Sequence, residues 1–108
     1  MEFSVSFPNA NLPRKNVLAA DFARQISIIS GISAKQKRER EDTQDSGTIV
    51  AIILTSPLIA EFVKHALTWI SRHNEKSIDI EIPGSKSRIT IKNTDDISKI
   101  IKALEELK

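Results

Sequence analysis

The side chains able to do chemistry are few and widely spread. His65 and His73 are the only histidines, and neither has a carboxylate at a spacing that builds a zinc site. His65 borders the apolar face of its segment and reads as a packed or half-exposed ring. His73 falls where a helix would end, a place the helix dipole favours for a cation. Cysteine is absent, which excludes disulfides, thiolate metal sites and a cysteine nucleophile. The three glycines, Gly31, Gly47 and Gly84, lie too far apart for a phosphate-cradling loop. Ser46-Gly47-Thr48 could offer free N–H groups to an anion ahead of a helix, although a simple cap is the commoner use of such a triplet. No serine sits in a nucleophile elbow. Asp79 and Glu81 alternate along a strand-like segment and read as solvated side chains, not an acid–base pair. These residues give no support to an enzyme, and no catalytic, cofactor-binding or metal-binding residue is assigned.

Basic residues offer a second kind of chemistry. Lys35, Lys37, Arg38 and Arg40 form one group, and Lys86, Arg88 and Lys92 another. The two would join into a polyanion-binding patch if the elements carrying them were neighbours. Against this, the first group is interleaved with Glu39, Glu41, Asp42 and Asp45. Such a mixed run is usually a solvated strand end or a mobile loop over 35–46. Tyrosine is absent, and the four Phe and the single Trp fall in apolar stripes, not where they could stack on bases. The net charge of +2 is too small to favour nucleic acid by itself.

The stretch from Ser46 to His73 must position most of these groups. Ile49, Val50, Ile52, Ile53 and Leu54 are nearly continuous, and no charge occurs from Thr48 to Ala60. After Pro57, Leu58, Ile59, Phe62, Val63, Ala66, Leu67, Trp69 and Ile70 recur at helical spacing, with Glu61, Lys64, Thr68 and Arg72 opposite. Ser56-Pro57 reads as an N-cap followed by proline in the first turn. The expectation is two helical segments, near 48–55 and 57–72, with a strand over 48–54 as the alternative because that segment is rich in β-branched residues. Glu61, Lys64 and His65 interrupt the apolar run too early for a membrane span.

The flanks supply the other elements. Glu2 to Phe7 alternates as a half-buried strand closed by Pro8. Leu18, Phe22, Ile26 and Ile29 make the stripe of a helix between Pro13 and Ser30, with Gly31 as its stop. Ile32 and Ala34 could begin a short strand. Lys76 to Lys92 reads as a hairpin turning at Pro83-Gly84-Ser85-Lys86, acidic on one strand and basic on the other. Thr94 caps a last helix striped by Ile97, Ile100, Ile101, Leu104 and Leu107. At 108 residues the chain is expected to be a single domain over 1–108. The order β-α-(β)-α-β-β-α predicts an α+β fold, with helices packed on one face of a small antiparallel or mixed sheet. The first residues lack the pattern of a secretory signal, so a cytoplasmic protein is expected.

Three stretches together resemble the effector-associated constant component family of bacterial conflict systems. They are GTIVAIILTSPLIAEFVKHALTWISRH, the hairpin SIDIEIPGSKSRITI that follows it, and the closing helix DDISKIIKALEEL. The earlier DFARQISII is similar to that family's opening part. Two features differ from the family pattern, namely Thr55-Ser56-Pro57 between the apolar segments and the charged run at 35–45. The resemblance implies a non-enzymatic adaptor or regulatory module, without cofactor, that associates with a peptidase or an NTPase effector and possesses a protein-binding surface. Homo-oligomerisation is compatible with that role. The alternative is a small basic nucleic-acid-binding domain built on Lys35, Lys37, Arg38 and Arg40.

Overall fold

A computed structural model describes residues 1–38, 48–75, 77–82, 88–92 and 94–106, with Arg38 described for its backbone only. In chain order the elements are β1 (Glu2–Ser6), α1 (Leu12–Ser27), β2 (Ser33–Arg38), β3 (Thr48–Ile53), a 3-10 turn (Ser56–Leu58), α2 (Ile59–Arg72), β4 (Ser77–Glu81), β5 (Arg88–Lys92) and α3 (Ile97–Glu106). The five strands form one sheet in the order β2-β3-β1-β4-β5, and every pairing is antiparallel. The fold is α+β, with the three helices on one face of the sheet.

Alternation decides which face that is. Phe3 and Val5 of β1 are fully buried, and their partners Ile52 and Val50 on β3 and Ile80 on β4 share that face. α1 packs over β2 and β3, while α2 lies between α1 and α3. Its Phe62 meets Phe3 edge-to-face at 5.0 Å, and Phe22 of α1 meets Trp69 at 5.1 Å with the rings perpendicular. Such pairs contribute about 0.5–1.5 kcal/mol each beyond the area they bury. The opposite face carries no helix among the described residues.

Residues 48–53 form a strand, so the expected helix over 48–55 is corrected. Thr48, Ile49, Val50, Ile52 and Ile53 are β-branched and lose side-chain freedom in a helix. Here they lie between β2 and β1, where backbone partners are available on both sides. The unbroken apolar run arises because Val50 and Ile52 enter the core while Ala51 is also covered on the other face. Proline 57 sits in the 3-10 turn that leads into α2. Thr55, not Ser56, is the extended residue before that turn, and its side chain makes no capping bond.

The other termini are set locally. Asn11 caps α1 by accepting from the backbone N–H of Arg14 at 3.0 Å. α1 ends at Ser27, and Gly31 lies beyond it in the turn to β2, at φ +89. A Cβ there would come within 2.8 Å of Leu58 Cδ1. Asp96, not Thr94, caps α3, accepting from the Ser98 N–H at 2.9 Å, while Asp95 accepts from the Lys92 N–H at 2.8 Å. Ile32 and Ala34 do lead into a strand, β2, and Lys35 to Arg38 belong to it. The rest of the charged run, the Pro83–Lys86 turn and Leu107 lie outside the described residues.

Candidate functional site

Between the C-terminal half of α1 and the outer face of α2 runs a groove of about 490 Å³, within the roughly 300–1,000 Å³ typical of ligand sites. Asp21, Gln25 and Ile28 form one wall. The other comes from Glu61, His65, Thr68 and Arg72, which recur along one side of α2, with Lys64 beside them. Trp69 and His73 close one end.

The way α2 stops places His73. Glu75 N–H donates to the Ile70 carbonyl at 3.1 Å and Asn74 N–H to the Ser71 carbonyl at 3.4 Å. With Asn74 at φ +53, this is the Schellman arrangement that satisfies the last carbonyls of a helix. His73 is therefore the C-cap, at the helix end as expected. Its Nδ1 lies 2.9 Å from the Trp69 carbonyl oxygen and its ring stacks on the indole at 4.3 Å. Its Nε2 lies 2.9 Å from Asp21 Oδ2.

Asp21 is the only acid in α1, and three donors converge on it. Trp69 Nε1 donates to Oδ2 at 2.8 Å and Arg24 Nη2 to Oδ1 at 2.6 Å, alongside the His73 contact. The Trp69 hydrogen bond does most to hold the Asp21 carboxyl below the usual aspartate range. Partial burial opposes it, and the Arg24 hydrogen bond and the positive charges of His73 and Arg24 reinforce it. Both His73 nitrogens face acceptors and both Asp21 oxygens face donors. A general base needs a ring nitrogen free to take a substrate proton, so this cluster is arranged to tie α1 to α2.

The remaining groups are looser. Glu61 sits 3.9 Å from both Lys64 Nζ and His65 Nε2, with all three side chains about half exposed. The Arg72 side chain makes no hydrogen bond or ion pair with another described residue. Among the described residues no cluster of His, Cys, Asp or Glu could hold a metal ion.

The basic residues singled out in the sequence are dispersed. Lys35 and Lys37 are exposed on β2, on the face without helices. Arg38 pairs with Thr48 through its backbone, and Arg40 and Lys86 lie outside the described residues. Arg88 and Lys92 are on β5, the opposite edge of the sheet, roughly 19 Å away at four inter-strand spacings. Arg88 is also engaged: its Nε donates to Glu81 Oε1 at 2.6 Å and its Nη1 lies 3.6 Å from Asp79 Oδ2. Asp79, expected to be solvated, is only 6 % exposed and accepts from Thr90 Oγ1 at 2.7 Å. Thr48 opens a strand and not a helix, and its hydroxyl bonds Asn16 Oδ1, while Ser46 and Gly47 of the Ser46-Gly47-Thr48 triplet lie outside the described residues.

Sequence reading placed Trp69 in the core but passed over Asp21. The available signal was chemical: a buried indole N–H needs an acceptor, and α1 offers one carboxylate. Comparison of the chain with protein-family models, with curated proteins and with solved structures finds no match. No described helix is long and apolar enough to cross a membrane.

Proposed function

We propose that the protein is a non-enzymatic protein-interaction module that docks partners in the α1–α2 groove. Its biological role would be the adaptor or regulatory one implied by the family resemblance, toward a cytoplasmic effector of peptidase or NTPase type. The observation that carries this reading is the groove's division of labour. At one end Asp21, Trp69 and His73 bond one another, while along the walls Gln25, Ile28, Lys64, Thr68 and Arg72 remain exposed. Side chains so disposed favour contact over chemistry. Affinity capture from nuclease-treated native cytosol tests it. Stoichiometric recovery of one peptidase or NTPase, lost when Thr68 is changed to Arg, is the expected result; recovery of no protein in stoichiometric amount, or recovery unaffected by that change, would refute it. Sedimentation of the purified protein reads whether it self-associates.

A second reading, a small basic nucleic-acid-binding domain, draws on Lys35 and Lys37 sharing the helix-free sheet face. It requires affinity for DNA or RNA that falls steeply with salt and with substitution of Lys37, Arg38 and Arg40. Lack of binding at low salt removes it.

A further inference from the structure

We propose that the α1–α2 groove takes an acidic segment of a partner protein, bearing two carboxylates that engage Lys64 and Arg72 and an apolar side chain that rests on Ile28. This deepens, and depends on, the interaction-module reading. Not every charge lining the groove is free to meet a partner. Asp21 is served by His73, Trp69 and Arg24, so its negative charge is compensated within the protein. Glu61 is shared at 3.9 Å between Lys64 and His65 and cannot neutralise both when His65 is charged. Arg72 has no described partner. Lys64 and Arg72 against Glu61 leave the α2 wall one positive charge in excess, or two with His65 protonated.

Spacing then selects the class of ligand. Lys64 and Arg72 lie just over two turns apart on α2, roughly 12 Å along the axis at 1.5 Å per residue. Two cations so separated cannot converge on one small anion. They match carboxylates three or four residues apart in an extended segment, at roughly 3.3 Å per residue, or two turns apart on a helix. Across the groove, at the C-cap of α1, Ile28 is 72 % exposed, an apolar lip beside Gln25. Ringed by polar groups, it offers an anchor for an apolar side chain. Stacked bases are disfavoured, because the one large ring at the groove is 3 % exposed and already stacked on His73.

The test selects binders from a displayed library of random short peptides on the intact protein. Enriched peptides are expected to carry two acidic residues at one of the two spacings with an apolar residue close to one of them. They should shift the backbone amide resonances of Ile28, Lys64, Thr68 and Arg72. The double variant Lys64→Glu with Arg72→Glu should bind them about tenfold more weakly, the effect of reversing two rim charges, while melting at the wild-type temperature. Enrichment without acidic bias, or equal binding by the double variant, overturns the proposal. So does binding lost on Ile53→Arg, which changes the helix-free sheet face, but not on the groove variant; an interaction module would then survive only with its docking surface moved from the groove to the sheet. Failure of any peptide to enrich sinks both. A single-stranded oligonucleotide bound in the groove and released by Arg72→Glu would replace the acidic segment with a phosphate backbone.

Discussion

Replacing Asp21 by Asn keeps the side chain's size and removes the charge on which three donors converge. An amide offers one acceptor oxygen. If that oxygen continues to serve Trp69 and His73, the NH2 group confronts Arg24, which is largely exposed and can turn to water. The loss is then mainly the charge assistance of the two remaining bonds. Bonds to a charged group contribute about 1.5–3 kcal/mol and neutral ones about 0.5–1.5. The Asp21 side chain is 21 % exposed, and solvent screening brings the expected cost to about 1–2 kcal/mol. Urea unfolding followed by Trp69 emission measures it, since this is the only tryptophan and it belongs to the cluster. At a slope near 1.5 kcal/mol per molar, the midpoint should fall by about 1 M. The deficit should also depend on pH. The carboxyl of Asp21 is depressed in the folded state, so its contribution is complete above the ordinary aspartate value of about 3.9 and is lost as pH falls through the lower folded value. Wild type and Asp21→Asn should therefore converge as pH falls below that depressed value. Equal midpoints at neutral pH, or a deficit that persists undiminished in acid, would refute the reasoning.

Other substitutions probe other supports. Asn74→Gly should leave stability within a few tenths of a kcal/mol or raise it, whereas Asn74→Val should cost about 1–2 kcal/mol because φ is +53 there; equal thermal midpoints for the two would show that the positive φ carries no strain. Arg14→Ala strips the partner from Glu75, which is 8 % exposed and receives Arg14 Nε at 3.1 Å. Because Arg14 is itself 53 % exposed, the loss should be about 1–2 kcal/mol and not the 3–5 of a fully buried pair. A cycle with Glu75→Gln that shows no coupling would count against that bridge. Phe22→Ala removes the ring that touches Phe7, Phe62 and Trp69. It should cost about 3–5 kcal/mol, a large part of a small domain's stability, so a melting temperature within a few degrees of wild type would contradict the packing described.

Elements whose pattern repeats along one face were legible in the sequence. β1, α1, α2, β5 and α3 bury the residues that periodicity selects because their other face is more open, and β4 buries Ile78 and Ile80 as alternation selects although Ser77 and Asp79 on its other face are covered too. The segment 48–53 was not, since this strand, paired on both sides, carries the apolar Ile49, Ala51 and Ile53 on its helix-free face as well as Val50 and Ile52 in the core, so its sequence shows no alternation. Thr94, Asp95 and Asp96 are all capable caps, and only the path of the chain after β5 chooses Asp96. Asp79 is covered through Thr90 and Arg88, partners supplied by the neighbouring strand. The groove was illegible for a similar reason: the Asp21–Trp69 bond spans 48 positions, and nothing local in either helix announces it.

The strand order has a kinetic consequence. β2 with β3 and β4 with β5 are each neighbours both in sequence and in the sheet and can form early. β1 alone connects the two pairs, with Val5 facing Val50 on one side and Ile80 on the other. Both ladders close loops of large sequence separation, and such contacts are slow to form. Until β4 is in place, β1 presents an unpaired backbone, the kind of edge on which chains associate wrongly. Folding of this protein should therefore be limited by the capture of its second residue-to-sixth-residue strand between two preformed halves, and substitutions in β1 should slow refolding more than they speed unfolding.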